Sequence, residues 1–147
     1  MEIVISGTVA NHSGISSNQL LEYLKDKTNE FDFYQFQPVP GRIYASSNEW
    51  KAIGKVSSIV SIVSFIWMAY TELIKPNKES TSNDGIIIRI ENLEINNNFW
   101  IGNTINSKEE LYQKIQKALE QIELDSTDSN EVVDSLRNSE RWKKVIR

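Results

Sequence analysis

The chain opens on a β-branched run, Ile3-Val4-Ile5, that stops at Ser6-Gly7, a pattern that predicts a short first strand closed by a turn. Ala10 to Gly14 is loop-like. Leu20, Leu21 and Leu24 then recur at helical spacing, and Ser16 or Ser17 precedes them as a cap. Ser16 and Gln19 have the spacing of a capping box, and Asn29 lies near the expected end of the helix. In the next segment Phe31 and Phe33 share one parity while Tyr34 and Phe36 share the other, so a strand covered in part on both faces is expected. Pro38-Val39-Pro40-Gly41 interrupts it, because proline brings no ladder donor, and Ile43 to Ala45 can resume it.

The most informative stretch runs from about Glu49 to Lys75. Its centre, Val56 to Thr71, is 16 residues without a charge. The many β-branched residues favour strand locally, but a single strand of this length is unusual, and a helix of 20-odd residues is expected instead. Trp50, Gly54, Ser57, Ser61, Ser64, Met68 and Thr71 fall on one stripe at a 3.6-residue period. The small members of that stripe would let another element approach closely, opposite a face of Ile, Val and Phe. A membrane crossing needs about 20 predominantly apolar residues. Here four serines lie in the core, and extension meets Lys55 and Lys51 on one side and Glu72 and Lys75 on the other. A buried helix inside a domain is therefore preferred to a span, although long lysines can snorkel.

Pro76 ends this helix and a polar loop runs to Asp84-Gly85. Ile86 to Ile90 reads as a strand, with Glu91-Asn92 as a reversal and Leu93 to Ile95 returning, or as one long strand to Ile95. Phe99 to Gly102 is a short strand or a packed loop. Ser107-Lys108-Glu109-Glu110 is a capping-box sequence, and Leu111, Ile115, Ala118, Leu119 and Ile122 form one helical face. After the polar break from Asp125 to Asn130, Val132 onward predicts a short terminal helix, with Val133, Leu136 and Trp142 as contacts. Charge is segregated here. Glu120 to Asp134 holds six acids and no base, whereas Arg137 to Arg147 holds five bases and one acid. The final segment either docks back, binds a partner, or is a solvated terminus.

The expected fold is α+β: a small mixed sheet packed against a long apolar central helix and an amphipathic C-terminal helix. Residues 1–124 form a single domain, and 125–147 form the polar break and a short charged helix or tail. At 147 residues with 39% apolar and 24% charged, one core is within reach. The net charge of −4 disfavours non-specific binding to nucleic acid or anionic membrane. The absence of cysteine excludes disulfides, thiolate chemistry and Cys-based metal sites, and it fits a reducing, cytoplasmic setting. The N-terminus reads as a strand and not as a signal peptide.

Candidate chemistry is sparse. His12, the one histidine, sits in a loop without a nearby nucleophile or ligand set, and a surface role is preferred to a general base or zinc ligand. Ser6-Gly7 and Pro40-Gly41 belong to no phosphate-cradling pattern. Asp26, Asp32 and Asp84 are ordinary surface carboxylates unless the fold brings them together. Tyr34, Phe36, Tyr44 and Arg42 suggest core packing before base stacking. Trp50 can act as an exposed interface anchor or close the core, since aromatics dominate many interfaces. With Trp142, Arg141, Lys143 and Lys144 it makes up the candidate partner-binding set, the basic residues suiting a phosphate or an acidic protein. No catalytic, cofactor-binding or metal residues are assigned.

The order of elements, with Pro38-Val39-Pro40-Gly41, the apolar helix over Val56 to Tyr70, Gly85 to Ile95 and Glu109 to Ile122, resembles the effector-associated constant component domain of bacterial conflict systems. The likeness covers roughly residues 2 to 123. It implies a non-enzymatic accessory or adaptor, with a separately encoded protease-like or nuclease-like effector as protein partner. A protein-interaction or adaptor module is the leading functional expectation. The alternatives are a small enzyme assembled from distant Asp, Glu, Tyr and His12, and a membrane-associated immunity or toxin-like protein using residues 56–71.

Overall fold

The period-two segments assemble into one sheet. The computed structural model describes residues 2–10, 14–38, 40–41, 49–77, 84–93, 97–124 and 129–146. Within them β1 (Glu2–Ala10), β2 (Phe31–Phe36), β3 (Glu49–Lys55), β4 (Gly85–Ile90), β5 (Phe99–Ile101) and β6 (Trp142–Lys144) lie in the order β5-β4-β1-β3-β2-β6. The architecture is α+β. Neighbouring strands pair antiparallel throughout, where mixed pairing is expected from the sequence. The reason is insertion. Helix α1 (Ser17–Lys25) carries the chain from β1 to β2, which run parallel to each other, but β3 comes between them and is antiparallel to both.

Three expectations need correction. The first strand does not stop at Ser6-Gly7. It runs on to Ala10, because Gly7 lies opposite Trp50 and its missing side chain leaves room for the indole. Glu49 to Lys55 is strand and not the start of the helix. Its period is two, with Trp50 and Ala52 facing one side of the sheet and Lys51 and Ile53 the other. The serine stripe on helix α2 (Ile59–Ala69) is its outer side. Ile59, Ile62, Val63, Ile66 and Ala69 are buried, while Ser57 and Met68 are exposed and Ser61 and Ser64 half-buried. No closely approaching element is needed to satisfy the hydroxyls. Ser64 Oγ donates to the Val60 carbonyl at 3.2 Å, and Thr71 Oγ1 donates to that of Met68 at 2.9 Å.

The apolar run begins as a 3-10 turn at Val56–Ser58, becomes α2, and widens into a π turn at Tyr70–Ile74 before a 3-10 turn at Lys75–Asn77. Val56 to Ile74 is long and apolar enough to cross a membrane by composition. Here its inner side closes the main core between α1 and α3 (Lys108–Leu124), which buries Leu111 and Ile115. Fully burying each large side chain of this kind is worth about 1.5–3 kcal/mol. The caps form as expected. Ser16 and Gln19 exchange side-chain-to-backbone bonds at 2.8 and 3.2 Å, and the Glu110 amide donates to Ser107 Oγ at 3.1 Å. Leu93 is described in an irregular segment, but Glu94 and Ile95 of the expected return strand lie outside the described residues, as do Ile43 to Ala45. Phe99–Ile101, β5, is the observed partner of β4.

The Tyr23 hydroxyl on α1 is buried near Glu72 of the π turn. Burial first, and then the Glu72 carboxylate, push its phenol up to about 12 from 10.0. A phenol with a higher pKa folded than unfolded keeps its proton longer in the native state. The stability it contributes is therefore complete below pH 10.0 and lost as the pH climbs through about 12. Urea midpoints taken across this window should fall more steeply for the wild-type chain than for Tyr23→Phe. Parallel curves would remove Tyr23 from the alkaline response.

Candidate functional site

The second face of the sheet carries the surface of interest. Helix α4 (Ser129–Arg137) has Glu131 in its first turn and Arg137 in its last, so its charges complement the helix dipole. Val133 and Leu136, three apart, bury against Val4, Tyr34 and Ile53. This cluster is separate from the main core. Arg137 then reaches across to β1 and grips Glu2 with two bonds, Nη1 to Oε1 at 3.1 Å and Nη2 to Oε2 at 2.6 Å. The Glu2 carboxylate shifts the guanidinium pKa upward, chiefly through that hydrogen bonding.

The chain turns and returns as β6, pairing Trp142 with Phe36, Lys143 with Gln35 and Lys144 with Tyr34. Backbone bonds extend this ladder at both ends. The Gln37 amide donates to the Arg141 carbonyl at 2.6 Å, and the Val145 amide to that of Phe33 at 2.8 Å. The final segment thus docks back on the sheet. Because Arg141 and Val145 bond inward, strand geometry points the backbone groups of Trp142, Lys144 and Ile146 to the outer side of the edge.

Side chains fix the position. The Trp142 ring meets Phe36 edge-on at 5.4 Å, and the Lys51 ammonium lies 4.9 Å from the Trp142 ring centroid. Lys51 also pairs with Glu91 at 2.5 Å, and Arg89 approaches the same carboxylate oxygen at 3.5 Å. A polar pocket of about 170 Å³ lies between α4 and the sheet, with Lys51, Glu91, Ser135, Ser139 and Trp142 in its lining. A broader depression of about 390 Å³ is lined by Asp32, Phe33, Lys144, Val145 and Ile146. Lys51 is already held by a carboxylate and an indole face, so the smaller pocket offers alcohol groups more than open charge.

The expected partner-binding residues separate into two sets. Trp142, Arg141, Lys143 and Lys144 come together on the β6 edge, where all but the half-buried Trp142 are exposed, and Ile146 beside them is 82% exposed. Trp50 does not join them. It is 0% exposed, deep in the core of β3, so its reading as an exposed anchor is overturned; the space above Gly7 draws the ring inward. His12, Arg42 and Tyr44 lie outside the described residues. Asp32 on β2 pairs with Lys144 at 3.6 Å, whereas Asp84 precedes β4, which β3 and β1 separate from β2, and Asp26 ends α1. The fold therefore does not join these three into one carboxylate centre. Among the described residues no three metal-capable side chains cluster. Sequence reasoning missed the Lys51–Glu91–Arg89 cluster, whose signal was the alternation of Lys51 and Ile53 with Trp50 and Ala52. Comparison with family models, with curated proteins and with solved structures gives no match.

Proposed function

We propose that this chain is a protein-interaction module that receives an extended acidic segment of a partner along the outer edge of β6. The observation that carries the reading is the edge itself: Arg141, Lys143 and Lys144 are exposed beside outward-pointing backbone groups, with Ile146 as an adjoining apolar contact. Strand addition draws affinity from main-chain bonds and specificity from alternate side chains. Cations on an edge also discourage pairing with neutral or basic strands, so charge selects the partner. The likeness to the conflict-system domain supports an effector as the source of such a segment and an accessory role without turnover.

A synthetic peptide of alternating Glu and Val tests this. Backbone amide shifts should concentrate at residues 141–146, and binding should weaken as salt rises. Lys143→Glu should reduce affinity about three- to tenfold, the scale of a reversed exposed charge at an interface. Shifts centred elsewhere, or equal affinity for a Lys-Val peptide, would sink the reading.

A further inference from the structure

We propose that residues 129–146 act as a strap, which leaves the sheet as one unit while the rest of the fold stays intact. This is a property of the isolated chain and stands apart from partner docking. Several observations converge on it. The strap's fully buried apolar contacts are Val133 and Leu136 against Val4, Tyr34 and Ile53, a cluster apart from the main core, which the strap touches through the half-buried Val145. Its ionic clasps sit at the surface: Arg137 and Glu2 are 41% and 39% exposed, and Lys144 and Asp32 are 60% and 44% exposed. Water and salt reach both pairs. By contrast, the Lys51–Glu91 pair beneath the strap is 17% and 14% exposed.

The charge segregation of the terminal sequence has a structural meaning here. The basic half, Arg137 to Lys144, lies over acids of the sheet, Glu2 and Asp32. The β6 ladder completes the attachment, since it covers β2 from Phe33 to Gln37. Helix and strand are bound to different strands of the sheet, β1 and β2, one after the other along the strap, with only residues 138–141 between them. Arg137 closes the helix end and Lys144 the strand end, with Trp142 on Phe36 and Lys51 between them. Losing either end strips the other of its position, which makes one opening step the natural mode. Opening bares the β2 edge and an apolar trio, Val4, Tyr34 and Ile53, ringed by Lys51, Glu91, Arg89, Glu2 and Asp32. The protein's own segment keeps both covered in the closed form.

Residue-resolved amide exchange on the full chain tests the strap. Val145, Gln37 and the α4 amides should exchange together and faster than the amides of β1, β3 and β4. Raising sodium chloride from about 0.05 to 0.5 M should speed that group about two- to fivefold, as should Arg137→Gln at low salt. The chain has no cysteine, so a single engineered pair can lock the strand. Gln35→Cys with Lys143→Cys joins two directly opposed positions. Oxidation should slow exchange in α4 as well as in β6 by at least about tenfold, and a reductant should restore it. If the lock slows β6 while α4 keeps its rate, the two do not move as a unit and the proposal fails. It fails equally if strap amides exchange as slowly as those of β1 at every salt concentration.

Discussion

Trp50→Ala is expected to lower folding stability by about 3–5 kcal/mol, the range for removing a fully enclosed aromatic ring. The ring is 0% exposed, meets Phe33 at 6.4 Å with planes 59° apart, and lies over the backbone of Gly7. Its strand is locked on both sides, by β1 and β2, so the surroundings have little freedom to collapse into the void. Urea unfolding followed by circular dichroism should show a lower midpoint with an unchanged denaturant slope. A loss below about 1 kcal/mol would mean that the indole is not a core residue, since even small core truncations reach that value.

Gly7→Val should be nearly as damaging, at about 3 kcal/mol, the upper end of ordinary overpacking. A Cβ built on Gly7 overlaps the indole of Trp50, and the ring has no solvent side into which it can retreat. The two substitutions address the same volume, which gives a sharper test than either alone. Combined with Trp50→Ala, the valine methyls enter the vacated space, and the double variant should be more stable than the sum predicts by about 0.5–3 kcal/mol. Additive losses would show that Gly7 is needed for some reason other than the ring. The same pairing recurs one strand over, where Gly54 lies opposite Phe31 and a Cβ there would meet that ring.

These two glycines mark the limit of what the sequence made legible. Short-range signals read well. The Ser16 and Ser107 caps, the Leu20-Leu21-Leu24 face and the Leu111-Ile115 face all depend on residues within a few positions of each other. The α+β class followed from them. Long-range registration did not. Gly7 looked like a turn because the ring that requires it is supplied by Trp50, and Glu49 to Lys55 was absorbed into a helical stripe because Gly54 and Trp50 also fit a 3.6-residue period. The second error also has a local cause, since a seven-residue segment carries too little pattern to separate two periods when alanine and glycine occupy two of its inward positions. The terminal edge was half legible. Basic character and Trp142 singled it out, but its partner strand, β2, lies more than a hundred residues earlier and no local feature names it.

The placement of β1 has a kinetic consequence. Ile5 sits at the centre of the sheet, flanked by Ala52 and Ile90, both far along the chain. Neither flank can be zipped up from a nearby hairpin, so large loops must close before this strand gains any hydrogen bonds, at an entropic cost borne early. Such pairing is expected to make folding slow compared with a protein built on local contacts. Until its later strands arrive, Ile3-Val4-Ile5 is a sticky segment that a nascent chain must keep from finding the wrong neighbour.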